Sequence, residues 1–232
     1  MLVLVKMAIL ELYHGSTLVL PKPYKGGGNP HNDYGPGFYC TRNLALAYEW
    51  SCDARHIGFA NKYELETDGL TILNLNGPGV HILNWLAVLL ENRVFDVPAG
   101  LPEASHAFIL DRFLPDYKDF DVLTGYRADD SYFSFARAFL DGSISLEQLS
   151  RAMRLGKLGE QVVIRSEKAY EALTFVTCAP TEHGRYFPQK KARDRKARET
   201  YQAILKESRK EDEVYMIDIL RQGWSNDDER LR

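Results

Sequence analysis

Cysteine is scarce in this sequence and widely spread: Cys40, Cys52 and Cys178 are the three present, and no two form a C-x-x-C pair. An odd, scattered set of thiols excludes a zinc knuckle or a disulfide framework and fits a reducing compartment. Metal-ligand spacing is missing too. His31, His56, His81, His106 and His183 take part in no H-E-x-x-H or similar pattern. There is no strand, G-x-G-x-x-G, helix unit, so a Rossmann mode of dinucleotide binding is not supported. The three glycines of "KGGGNP" are not followed by G-K-[S/T] and make no phosphate loop. Long apolar runs are lacking. The opening "MLVLVKMAILEL" is broken by Lys6, with no basic segment before it and no A-x-A-like site after it. It reads as neither a signal peptide nor a membrane span, and leads into a first strand. A strong charge of one sign is also absent: the formal charge of −3 speaks against a nucleic-acid coat. The basic stretch over residues 190–198 has few interleaved aromatics and reads as a solvated face. These absences predict a cytoplasmic chain with no membrane partner. An effector exported by another route would have the same features.

What is present is enough for a substantial core: 232 residues, 45% of them hydrophobic. Gly, Pro and Asn crowd residues 21–37, which predicts a loop longer than most connections in a compact domain, and such loops are usually functional or disordered. "FYCT" follows as a short strand, then "NLALAYEWSC" as a helix capped by Asn43. "KYELETDGLTILNL" alternates as strand, turn, strand. Residues 80–93 are apolar nearly all round and predict a buried helix. Further helices are expected over residues 102–114, over the aromatic-rich "DDSYFSFARAFLDG" ending at Gly142, and from a cap at Ser145 to near Gly156. "FDVLTGY", "EQVVIRS" and "TFVTCA" read as strands, with a short helix "SEKAYEAL" before the last. After Pro180 charge dominates, so residues 181–232 are expected to form a solvated helical extension packed loosely on an α+β domain spanning residues 7–180, or on a partner.

Two junctions carry candidate chemistry. In "LYHGST", His14 supplies a directed ring nitrogen, Gly15 lets a ligand reach the backbone and Ser16 adds a hydroxyl. In "YGPGFYCT", a Gly-rich bend delivers Tyr39 as a flat stacking surface. Tyr48, on the helix that follows, is placed to form an opposite wall or to pack as an ordinary amphipathic residue. A glycine edge and a tyrosine face together suit a planar carboxamide such as nicotinamide. Asp129 and Asp130 open a helix as acidic caps, or turn one carboxylate to the cleft. Arg93 ends an apolar helix as a structural ion pair or as a binder of pyrophosphate.

The combination "YHGS", "GPGFYCT", "ALAYEW" and "GEQVVI" resembles the ADP-ribosyltransferase fold of the diphtheria-toxin and poly-ADP-ribose-polymerase type. It is more closely similar to an uncharacterised bacterial family related to those transferases. The matching residues are His14 to Ser16, Asn32 to Thr41, Trp85-Leu86 with Asn92-Arg93, Asp121 with Gly125 and Ala128-Asp129-Asp130, and Gln161. The resemblance runs from residue 12 to about 176 and leaves the C-terminal extension uncovered. It implies a split β-sheet core with surrounding helices and NAD as substrate. It also implies transfer of ADP-ribose to a macromolecular acceptor, a protein first with nucleic acid left open, in a bacterial housekeeping or toxin setting. By it, His14, Tyr39 and a late-strand residue make the catalytic set, Gly15, Ser16 and Tyr48 hold nicotinamide, and Arg93, Asp129 and Asp130 complete the NAD site. The late position departs from the glutamate of the type. It falls on Gln161, with Glu160 beside it, and strand alternation allows at most one of the two to enter the cleft. Gln161 inside implies transfer of single units, a weak enzyme or a non-catalytic binding module. The remaining alternative is an unrelated hydrolase using Cys40 with a histidine.

Overall fold

The computed structural model describes residues 8–53, 56–128, 130–155, 159–208, 210 and 212–231. Its strands are β1 (Ile9–Ser16), β2 (Phe38–Thr41), β3 (Phe59–Glu66), β4 (Ile72–Asn74), β5 (Val122–Tyr126), β6 (Glu160–Ile164) and β7 (Leu173–Pro180). The helices are α1 (Leu44–Ser51), α2 (Ile82–Asn92), α3 (Leu101–Phe113), α4 (Asp130–Leu140), α5 (Leu146–Leu155), α6 (Glu167–Glu171), α7 (His183–Leu205) and α8 (Met216–Gln222). The strands form one sheet in the order β4-β5-β6-β2-β1-β3-β7. The β4–β5 pair is parallel and the others are antiparallel. The architecture is α+β.

Strand alternation divides the core. Leu12, Phe38, Cys40, Val122, Val162 and Ile164 enter a smaller cluster on one face of the sheet. Leu123 and Val163 enter the larger one on the other face, built with α2, α3, α4 and α5. The expected buried helix is α2, whose residues from Leu83 through Leu90 are all buried. Its one polar member there, Asn84, donates through Nδ2 to the Phe113 carbonyl at 2.8 Å, so its burial leaves that donor satisfied. Local caps follow the sequence signals. Asn43 Oδ1 accepts from the amides of Ala45 and Leu46, and Ser145 and Gln148 exchange hydrogen bonds at the start of α5. The expected end of α5 near Gly156 lies outside the described residues.

The C-terminal extension departs from the loosely packed expectation. Ala197, Ile204, Met216, Ile219 and Trp224 belong to the larger core cluster. The Tyr186 ring of α7 stacks on Tyr48 of α1, centroids 4.6 Å apart. Arg193 grips Glu49 with two bonds of 2.8 Å, and the Glu49 side chain is only 4% exposed. The misreading has a physical cause. Few apolar residues of α7 are buried, and α7 docks instead through paired charges and stacked rings, which look solvated in a hydropathy pattern. The pair gives a prediction. Arg193→Ala leaves a buried carboxylate without its cation and should cost about 3 kcal/mol in urea unfolding. Arg195→Ala, which removes only the exposed pair with Glu199, should cost under about 0.5 kcal/mol.

Candidate functional site

β1 pairs with β3 along its whole length but meets β2 at one described register position, Tyr13 opposite Thr41. All four residues of β2 pair with β6. Beyond Tyr13 the two strands part, and His14 occupies the opening. By alternation His14 shares the face of Leu12, and Tyr39 shares that of Gln161. The gap between the strands lets residues of both faces line one cavity.

His14 Nδ1 lies 2.7 Å from the Tyr39 carbonyl. A carbonyl only accepts, so Nδ1 carries the hydrogen and Nε2 is left as an acceptor. Burial pushes the His14 pKa below the ordinary 6.5, partly offset by that hydrogen bond, so the ring is neutral at pH 7. The Tyr39 hydroxyl donates to the Gly35 carbonyl at 2.7 Å and accepts from the Tyr34 amide at 3.0 Å, which closes the Gly-rich bend on itself. Burial raises its pKa beyond the usual phenol range. Gly35 sits at φ 74°, and a Cβ there would fall 2.4 Å from Asn92 Oδ1. Only glycine fits that bend.

A buried carboxylate ties the site together. Asp33 is 5% exposed. Its Oδ1 accepts from Arg93 Nε at 2.9 Å, and its Oδ2 accepts from the Ala128 amide at 2.9 Å and from Gln161 Nε2 at 2.9 Å. A carboxylate accepts only, which fixes the Gln161 amide with its nitrogen toward Asp33; Nε2 also reaches the Tyr126 carbonyl at 3.3 Å. Next to this network is a cavity of about 360 Å³ lined by His14, Asp33, Tyr39, Trp50, Arg127 and Gln161, with Arg93 at its wall. The Arg127 guanidinium lies over the Trp50 ring, 4.7 Å from its centroid.

Of the residues singled out in the sequence, His14, Tyr39, Gln161 and Arg93 converge on this cavity. Arg93 is engaged as an ion pair with Asp33 and also donates to the Ala128 carbonyl. Between the late-strand alternatives, Gln161 is buried and faces the cavity. Glu160 is exposed and accepts from Asn76 Nδ2 at 3.2 Å. Gly15 and Ser16 are not in the lining. The missing Cβ of Gly15 makes room for α1, since one there would lie 2.0 Å from the Ala47 carbonyl oxygen. Ser16 Oγ accepts from the Leu18 amide at 3.1 Å. Tyr48 departs from the expected wall: its ring is committed to Tyr186. Asp129 lies outside the described residues, as does the side chain of Asp130, whose backbone starts α4. Cys40 is fully buried and burial pushes its thiol pKa up, which disarms it as a nucleophile. A larger hollow of about 910 Å³ near His81, Glu147 and Asp212 contains none of these residues.

Asp33 and Trp50 line the cavity but were given no role from sequence. Asp33 sits in "NDYG", where Asn and Asp read as turn formers. Trp50 is two positions beyond Tyr48, about 200° around a helix, so the two cannot face one cavity. Only the rotation of α1 selects between them.

The Gln161 environment gives a second prediction. Gln161→Glu sets a carboxylate against Asp33, so one of the pair must hold its proton above the usual carboxylate range. A pKa raised on folding confers stability that is present at low pH and lost as pH rises. The melting-temperature deficit of Gln161→Glu should therefore be larger at pH 8 than at pH 5, and Gln161→Glu with Asp33→Asn should flatten it.

No curated protein and no solved structure matches this chain. Residues 10–175, more than half of the chain, match the model of the family described as "Protein of unknown function (DUF3990)", and the chain belongs to that family.

Proposed function

We propose that this chain is an NAD-dependent mono-ADP-ribosyltransferase with an ADP-ribosyltransferase-like core. In this reading it moves ADP-ribose from NAD to a macromolecular acceptor and releases nicotinamide. One observation carries it: His14, Tyr39 and Gln161, which the resemblance assigns to one catalytic set, are far apart in sequence and line one cavity where β1 and β2 part. The bond between ribose C1′ and the nicotinamide nitrogen breaks, and its electron pair leaves with nicotinamide, which departs neutral. The acceptor's nucleophile bonds to C1′ and gives up a proton. Little acid catalysis is needed, because the leaving ring is already cationic. The demand is to orient the ribose and tolerate positive charge on it, as in glycoside hydrolysis. A neutral His14 with Nε2 as acceptor suits a ribose hydroxyl. The Gln161 amide, held by Asp33, suits a second one through its oxygen. Neither adds a full negative charge beside C1′.

That last point favours a second reading, in which the cavity binds NAD and the domain works as a non-catalytic module. Wild type, His14→Ala and Tyr39→Ala incubated with labelled NAD separate the two. The transferase should release nicotinamide, and His14→Ala should lose about 100-fold in rate through lost orientation. Equal release from all three removes this site. A rise in melting temperature with NAD but no turnover supports the binding module, and neither shift nor turnover removes both readings.

The low His14 pKa sets the pH dependence. Protonation destroys the Nε2 acceptor, so NAD affinity should stay level down through pH 6.5 and fall only in more acidic solution. The stability gained by burying the neutral ring has the same sign: it is present above the unfolded pKa and lost as pH falls through the folded one. Wild-type melting temperature should drop more steeply than that of His14→Gln between pH 7 and pH 5.

A further inference from the structure

Trp50 gives the cavity an indole wall, and a cation already lies over its face. The Arg127 guanidinium lies 4.7 Å from the ring centroid, and both residues line the cavity. The Trp50 Nε1–H is buried and has no hydrogen-bond partner among the described residues. Buried indole N–H groups are normally paired, so this is an unmet donor on the ring that forms part of the cavity lining. The other aromatic candidate on α1, Tyr48, is held against Tyr186.

We infer that the Trp50 face is a subsite for a flat aromatic cation, with Arg127 as its resident plug, displaced when such a ligand binds. An indole face is the strongest cation-π acceptor among side chains, and the attraction depends on the charge of the partner. A cationic ring can repay the lost Arg127 contact; a neutral ring of the same shape cannot. This deepens the proposed function and rests on it for the identity of the ligand. The nicotinamide of NAD is an N-alkyl pyridinium carboxamide that becomes neutral when the glycosidic bond breaks. The subsite then discriminates substrate from product: it holds the ring while it is charged, and Arg127 returns once the charge is gone. Because the contact is lost as the reaction proceeds, it aids capture and release and does not lower the barrier of the chemical step.

The test uses N-methylnicotinamidium chloride and nicotinamide, a cation and a neutral ring of like shape, titrated into the full chain with tryptophan fluorescence as readout. Trp85 is 0% and Trp224 2% exposed, so quenching reports on Trp50. The cation should quench at least about tenfold lower concentrations than nicotinamide, by the charge dependence of the contact. Arg127→Gln should bind the cation about fivefold more tightly, with the plug gone, and Trp50→Phe should lose the quench. Equal affinity for the two rings in the wild type, a comparison that needs no variant, overturns the inference, and so does weaker cation binding by Arg127→Gln. NAD itself is the third arm. Cation binding through Trp50 without NAD binding or turnover keeps this subsite and removes the transferase reading. NAD turnover with no preference for the cation keeps the transferase and removes the plug.

Discussion

Asp33 joins three segments that the chain keeps far apart: the long loop before β2, the end of α2 at Arg93, and the β5–α4 turn at Ala128, with Gln161 of β6 added to the same carboxylate. A carboxylate buried this deeply is tolerable only if its lone pairs are met and its charge is balanced. Here a guanidinium balances the charge, and a main-chain amide and a side-chain amide meet the remaining lone pairs. The floor of the cavity is therefore pre-set. The Gln161 amide has one orientation, the Arg93 guanidinium is committed to Asp33 and the Ala128 carbonyl, and the loop is pinned next to Tyr34, itself fully buried and bonded to Trp85.

The neighbouring groups are kept neutral. His14 loses its charge to burial, and Tyr39 spends its hydroxyl on its own bend. With Arg93 balanced by Asp33, the cavity offers acceptors, a ring surface and the Arg127 guanidinium over Trp50. Such a lining recognises a ligand by shape and by the direction of hydrogen bonds, and at Trp50 by charge.

The C-terminal extension bears on the site although it does not reach it. α1 is held between two neighbours. Gly15 allows its backbone onto β1, while Tyr186 and Arg193 of α7 take hold of Tyr48 and Glu49. These contacts set the rotation of α1 and so turn Trp50 to the cavity. Residues read as a solvated appendage thus decide which aromatic wall the cleft has.

Most of the fold was legible because its signals are local. The Asn43 and Ser145 caps, the all-apolar face of α2, the Gly and Pro density of the long loop and the apolar run of β6 each state their own structure within a few residues. That "YHGS" and "GFYCT" lie side by side was expected from the two junctions read together and from the resemblance they carry, and the strands do meet, with Tyr13 opposite Thr41. The rest depended on contacts between distant residues. Alternation permitted either Glu160 or Gln161 inside, and only the register with β5 and β2 chose Gln161. Asp33 looked like a turn residue until folding surrounded it with donors, and Tyr48 and Trp50 were equivalent until α7 gripped α1. A hydropathy pattern records which side chains avoid water, whereas the partner of a buried charge and the angle of a helix are set by the neighbours that folding brings to it.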